Sequence, residues 1–109
     1  MKLNLLLAAA SLLLPAVASA QTAATAYPTK PVRLMVGANA GGGTDIVARM
    51  LADKFADQMK GTFLVENKPG ASNTIAADLT AKASPDGHTL LVATNTGQAI
   101  APHLLKLSF

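Results

Sequence analysis

Three polar segments of this chain contain residues whose types and spacing could bind a ligand. They occupy positions 37–43, 67–73 and 94–97, and each follows a short apolar run of strand length. The first ends in consecutive glycines at 41–43, which would let the backbone come close to a ligand. Where such a segment opens a helix, unpaired backbone N–H groups and the positive end of the helix dipole favour an anion. The chemistry indicated is therefore anion binding.

The same segments also have a plain structural interpretation, because every α/β protein has loop glycines and helix caps at such places. Sharper catalytic motifs fit poorly. Gly43 stands where a phosphate-binding loop needs lysine, which argues against nucleotide hydrolysis. The segment from Gly70 to Thr74 resembles a nucleophile elbow but lacks its final glycine. We therefore expect no catalytic residue and no enzyme, with a small phosphate-binding enzyme domain as the less favoured alternative.

Composition narrows the function classes further. The chain has 109 residues, with 9 basic and 6 acidic side chains, no cysteine and 4% aromatic residues. The small excess of positive charge and the few aromatic side chains argue against a nucleic-acid partner. There is no thiolate ligand, and His88 and His103 have no carboxylate cluster beside them in the sequence. We expect both histidines at the surface or its boundary, and neither a metal site nor a cofactor.

The first 20 residues are typical of a cleavable signal peptide. A positive start at Lys2 precedes a largely apolar run, Leu3 to Leu14, and then the small-residue pattern Ala18-Ser19-Ala20. The apolar run is shorter than the roughly 20 residues that a membrane-spanning helix needs. We predict export to the periplasm, cleavage after Ala20, and one domain formed by residues 21–109.

The elements that must position the three polar segments alternate along the rest of the chain. Apolar runs predict strands at 32–36, 62–66 and 89–93, and helical patterns follow them at 44–60, 73–83 and 98–105. This alternation predicts right-handed crossovers and a parallel sheet, so the fold class is α/β. The carboxyl ends of parallel strands lie on one edge, which brings the polar segments together.

The first predicted helix has an apolar side and a polar side. Thr44 is the expected N-cap, and Asp45 lies in the first turn, where the dipole favours an acid. We expect the apolar side to face the sheet: Ile46, Met50, Leu51, Phe55 and Met59, with Ala48, Ala52 and Ala56 beside them. We expect the polar side to be solvated: Arg49, Asp53, Asp57 and Lys60.

Five short motifs resemble the signatures of one known family in order and spacing. They are Tyr27–Leu34 (YPTKPVRL), Gly41–Arg49 (GGGTDIVAR), Val65–Ala71 (VENKPGA), Ala76–Asp78 (AAD) and Ser84–Leu91 (SPDGHTLL). Each motif is weak alone, but together they resemble the Bug family, the extracytoplasmic solute receptors of tripartite tricarboxylate transport systems. The resemblance runs from about Tyr27 to the end of the chain.

The resemblance implies a two-lobed receptor that closes on a small carboxylate-bearing solute and delivers it to membrane permease subunits. The positions that match the family's ligand loops are Gly42, Gly43, Thr44, Ser72, Asn73, Thr74, Thr94, Asn95 and Thr96. Backbone N–H groups and small hydroxyl or amide side chains there would satisfy a carboxylate, directly or through water. Asp45 would repel an anion, so we expect it to orient the first loop and the helix start.

The resemblance also implies that family members continue into a second domain and then return to the first. On that basis residues 21–109 are expected to form an incomplete N-terminal lobe of a periplasmic solute-binding protein, and the receptor to be truncated. A cleft receptor gains affinity by closing two lobes, so we expect weak binding or none unless a partner completes the lobe. A non-functional exported remnant of such a receptor is the alternative.

Overall fold

The computed structural model describes residues 26–109. The expected signal peptide and its cleavage site after Ala20 lie outside these residues. Within them, the elements are β1 (Val32–Val36), α1 (Gly43–Met59), β2 (Phe63–Asn67), α2 (Thr74–Ala81), β3 (Thr89–Val92) and α3 (Ala101–Leu104). A 3₁₀ turn (Ala71–Asn73) precedes α2, and a π-helical turn (Thr96–Ile100) precedes α3. None of these helices is long and apolar enough to span a membrane.

The strands form a parallel sheet in the order β2-β1-β3. Leu34 in the central strand pairs with Val65 on one side and with Leu90 on the other. The predicted α/β fold with three parallel strands and helical crossovers is therefore confirmed, and the strand bounds differ from those expected by at most one residue at each end.

The central strand is buried because each face of the sheet carries a helix. The first helix packs on β1 and β2, and α2 packs on β1 and β3. Right-handed crossovers to opposite sides of β1 place these two helices on opposite faces. Accordingly Leu34 and its neighbour Met35, which point to opposite faces, are both almost fully buried.

The side of α1 that faces the sheet agrees with the expectation only in part. Ala48 and Ala52 are buried there, as expected, and Ala52 packs with Val32 and Leu34. The larger apolar residues expected beside them are mostly exposed, with Ile46, Met50, Leu51 and Met59 at 40–64% of their full accessibility. The prediction for these four was wrong, because apolar residues surround much of this helix and the small alanines permit the closest approach to the sheet. Phe55 is half-buried and stacks on Phe63, with ring centroids 5.5 Å apart.

The helix starts also differ in detail from the sequence patterns. Gly42, not Thr44, is the N-cap of α1, and no side chain caps it. Asn73 is the N-cap of α2, but its side chain makes no capping bond. The third helical segment begins at Thr96 rather than Gln98. Pro102 lies in the first turn of α3, where a missing N–H costs little.

His88 is buried, so the expectation of a surface or boundary position was wrong for it, whereas His103 is exposed as expected. The Nε2 of His88 accepts a hydrogen bond from the Thr29 backbone N–H at 3.3 Å, and its ring lies 5.1 Å from that of Tyr27. Lys30 forms an ion pair with Asp86 at 2.7 Å. The segment before β1 therefore covers the turn before β3 and takes His88 out of solvent.

Candidate functional site

The three polar loops meet at the carboxyl edge of the sheet, as the parallel topology requires. Gly37 follows the first strand at the point where the second loop crosses it. A Cβ on Gly37 would lie 2.7 Å from the Asn73 Cβ and 2.8 Å from the Asn73 carbonyl oxygen. Only glycine fits this contact, so the approach of the first two loops depends on Gly37.

Asn73 joins the second loop to the third. Its Nδ2 donates a hydrogen bond to Thr94 Oγ1 at 3.0 Å, and the Gly97 N–H donates to the same oxygen at 3.2 Å. These two bonds occupy the acceptor capacity of the Thr94 hydroxyl. The hydroxyl proton is left to donate a hydrogen bond, and an anionic oxygen is a suitable acceptor for it.

The second loop has an unusual backbone. Ala71, Ser72 and Asn73 have φ angles of 45°, 55° and 70°, a left-handed region that costs energy for residues with a Cβ. Thr74 closes the turn, because both its hydroxyl (2.7 Å) and its N–H donate to the Ala71 carbonyl. The turn buries Thr74 and leaves Ser72 exposed at the edge of the sheet.

The first loop is held by the buried carboxylate of Asp45, which is only 2% exposed. Its Oδ2 accepts hydrogen bonds from the Gly41 N–H at 2.8 Å and from Arg49 Nε at 3.0 Å. Its Oδ1 accepts one from Asn67 Nδ2 at 2.9 Å. Arg49 first, then the Gly41 N–H and Asn67, lower the pKa of Asp45 to about 2. The bond from the Gly41 N–H to Asp45 suits the predicted loop-orienting role. Gly41 has a φ of 84°, which glycine adopts readily.

Sequence reasoning missed two members of this cluster. Asn67 Nδ2 also donates to the Ala38 carbonyl at 3.1 Å, so it joins the first loop to the end of β2. Arg49 is exposed, as expected, but sequence reasoning missed that its guanidinium also bonds Asp45 and reaches Asn67 Oδ1 at 3.4 Å. The i, i+4 spacing of Asp45 and Arg49 on a helix was the signal available for this pair.

The nine residues expected to bind the ligand differ in their exposure to solvent. They are exposed (Gly43, Ser72, Asn95, Thr96), half-buried (Gly42, Thr44, Asn73, Thr94) or buried (Thr74). The second loop lies against the π-helical turn and bonds Thr94, so these groups are in contact. The residues of the first loop, at positions 42–44, lie at the start of α1. They are linked to the second loop through Gly37 and Asp45. Their role in binding stays a prediction.

Two cavities have linings almost entirely outside the nine residues, of which only Thr74 contributes to either. One, of about 280 Å³, lies between α2 and residues 106–109 and includes Thr74 and Asp78 in its lining. The other, of about 470 Å³, lies where the strands begin and contains Lys30, Arg33 and Lys82. These cations are paired with carboxylates, Asp86, Glu66 and Asp78 respectively. Within residues 26–109 there is also no group of three acidic or histidine side chains placed to hold a metal ion.

Comparison with known proteins agrees with this architecture. Residues 47–109 match the model of the tripartite tricarboxylate transporter family receptor, TctC. A UPF0065 protein of Bordetella pertussis is 40% identical over 89 residues, which are 82% of this chain and 28% of the relative. The chain thus spans little more than a quarter of the length of that relative.

Solved structures show the same similarity. MatC from Rhodopseudomonas palustris, solved with bound malate, is 40% identical with a TM-score of 0.57, covering 60% of this chain and 22% of MatC. R. palustris Rpa4515, solved with adipate, is 37% identical with a TM-score of 0.58 at the same coverages. The match to the family model extends over more than half of the chain. The chain therefore belongs to the family of tripartite tricarboxylate transporter receptors, whose members are solute-binding proteins rather than enzymes.

Proposed function

We propose that this protein is a periplasmic solute receptor that binds a small carboxylate-bearing molecule at the carboxyl edge of its sheet and delivers it to membrane permease subunits. The observation that carries the proposal is the Thr94 hydroxyl, whose oxygen accepts from Asn73 and Gly97 and whose proton is left to donate. A donor fixed in this way at the meeting point of two loops favours an anionic oxygen over a cation.

The surrounding chemistry supports the same class of ligand. The start of α1 adds backbone N–H groups and the positive end of a 17-residue helix dipole. Ser72, Asn95 and Thr96 are exposed small polar side chains beside these donors. The two structural relatives solved with malate and with adipate make dicarboxylates the first compounds to test.

Four of the nine residues of the proposed site, Gly43, Ser72, Asn95 and Thr96, are exposed to solvent in the described residues. An anion bound at such an edge keeps much of its hydration, and we expect a dissociation constant in the millimolar range. In the complete receptors a second lobe would close over the solute and tighten binding.

An NMR titration tests the proposal at this affinity. Malate added to the ¹⁵N-labelled protein is expected to shift the backbone amides of residues 42–44, 72–74 and 94–97. The neutral diamide of malate, which matches its shape without its charge, is the control and is expected to shift them much less. Equal shifts with both compounds, or malate shifts confined to other parts of the chain, would contradict the proposal.

A second arm uses Thr94. Substitution of Thr94 by valine keeps the branched shape but removes the hydroxyl, and with it both the proposed donor and the acceptor for Asn73 and Gly97. We expect malate binding to weaken at least about tenfold, since a hydrogen bond to a charged group and the link between the two loops are both lost. Thr80 on α2 is the matched control, because its hydroxyl donates to the Ala76 carbonyl away from the edge. Thr80→Val is expected to leave malate binding unchanged.

A further inference from the structure

We propose that Arg49 and Asn67 are positioning residues of the solute site: they hold the buried Asp45 carboxylate with its charge compensated and fix the first loop to the second strand. The inference deepens the proposed function and rests on it. Neither residue belongs to the nine that the family resemblance assigns to ligand binding.

The position of Asp45 has two consequences for an anion at this edge. A buried carboxylate in the first turn of α1 interacts favourably with the helix dipole, but it also sets a negative charge beside the place proposed for an anion. The two effects oppose each other. An anion is accepted at this helix start only if the charge of Asp45 is balanced locally.

Arg49 supplies that balance. Its Nε lies 3.0 Å from Asp45 Oδ2, one helical turn away, and about half of its side chain is exposed. Among the described residues, the other groups that contact the carboxylate are neutral donors, the Gly41 N–H and the Asn67 amide. Arg49 is thus the cation that makes this cluster neutral as a whole.

Asn67 fixes the loop in place. Its Nδ2 donates both to Asp45 and to the Ala38 carbonyl, while its Oδ1 lies 3.4 Å from Arg49 Nη2. One side chain at the end of β2 therefore bonds the first loop, the start of α1 and the guanidinium. Loss of this side chain would remove the bond to Ala38 and leave the Gly41 N–H as the loop's hydrogen bond to Asp45, so the backbone donors of Gly43 and Thr44 would lose their fixed direction.

The decisive experiment compares charge variants by NMR. Arg49→Gln removes the cation, and we expect the Asp45 titration to move to higher pH, because the largest cause of its lowered pKa is gone. Malate binding at pH 7 is expected to weaken at least about threefold, since Asp45 then faces the anion uncompensated. The double variant Asp45→Asn with Arg49→Gln is expected to recover most of this loss.

The double variant separates charge from structure at pH 7, where malate is ionised in both solutions. The two proteins share the loss of Arg49 and differ only at position 45, so the ratio of their dissociation constants reports the charge of Asp45. The protonation of Asp45 in the single variant is followed directly by NMR without ligand, because malate also loses charge at acidic pH. Equal malate affinities of the single and double variants at pH 7 would show that the loss is merely structural.

Two further variants complete the test. Arg49→Lys keeps the charge but loses the forked contact, so we expect Asp45 to stay ionised while the Asn67 side-chain amide protons exchange faster. Lys82→Gln breaks an ion pair of the same i, i+4 spacing on α2, Lys82–Asp78 at 2.6 Å, and is expected to change neither readout.

The outcomes distinguish the two proposals. If malate shifts no amide at the edge of the unaltered protein, the proposed function fails, while the Asp45 titration and the Asn67 exchange still decide the roles of Arg49 and Asn67. If Arg49→Gln leaves the Asp45 titration unchanged, or binds malate as the unaltered protein does, the positioning inference is overturned.

Discussion

At the scale of single residues, Asp45 shows how an acid can serve a proposed anion site without touching the anion. Its three hydrogen bonds, one of them from the Arg49 guanidinium, stabilise the ionised form in the folded protein. The folded-state pKa, about 2, lies below the ordinary value of 3.8. Stability that depends on this carboxylate is therefore present above about pH 4 and is lost as the pH falls towards 2.

This linkage predicts a specific acid dependence. The free energy of unfolding of the unaltered protein should exceed that of Asp45→Asn near neutral pH, and the gap should narrow between about pH 4 and pH 2. Urea unfolding across this range measures it. A gap that stays constant with pH would contradict the assignment. Asp86, whose pKa is also lowered to about 2, chiefly by Lys30, remains in both proteins and cancels in the comparison.

A second prediction for a single residue concerns Gly37. Gly37→Ala places a methyl group less than 3 Å from the backbone of Asn73, so we expect a loss of about 1–3 kcal/mol in the free energy of unfolding. Gly43→Ala is the control, because its added Cβ meets nothing within 4 Å and it lies in the first turn of a helix. That substitution should change stability little or raise it slightly. Equal losses for the two variants would show that the contact with Asn73 is unimportant.

At the scale of elements, the orientation of α1 decides which substitutions matter. Ala52 is 5% exposed and packs on β1, whereas Met50 on the same helix is 64% exposed. We expect Ala52→Leu to destabilise the protein by about 1–3 kcal/mol through overpacking. Met50→Ala removes a larger side chain from the exposed side and should change stability by less than about 0.5 kcal/mol. Urea unfolding of both variants measures this, and the reverse order would mean that α1 is rotated.

The meeting of the three loops also depends on the arrangement of whole strands. The carboxyl ends of β1, β2 and β3 lie side by side because all three strands are parallel. The loops that follow them are then close in space although a whole helix and strand separate each from the next in sequence. The hydrogen bonds between Asn73 and Thr94 and between Asn67 and Ala38 depend on this proximity.

At the scale of the whole molecule, export determines where the receptor would work. We predict that the mature protein begins at Gln21, because Ala18-Ser19-Ala20 fits the small side chains that signal peptidase accepts. Intact-mass analysis of an osmotic-shock extract, with the chain located by a peptide from α1, measures the mature N-terminus. Recovery of a species that retains Met1, or recovery only from the membrane fraction, would contradict this prediction.

The sequence by itself determined the element order and the fold class. Alternating apolar runs, glycines and prolines located all three strands to within a residue at each end, because strand length and turn chemistry are local properties. The family motifs assigned the chain to the solute receptors, which the comparisons confirmed. Repulsion between like charges also led us to expect that Asp45 orients the first loop rather than contacts an anion.

Only the tertiary structure decided which side chains face inward and which meet across the loops. The periodicity of α1 admits more than one apolar side, and the choice of Ala48 and Ala52 depends on how closely the helix can approach β1. His88 is buried by a segment that includes Thr29, 59 residues earlier, and Asn67 contacts Asp45 across 22 residues of sequence. Such contacts depend on the parallel packing of the sheet, which places distant residues side by side and which no local pattern encodes.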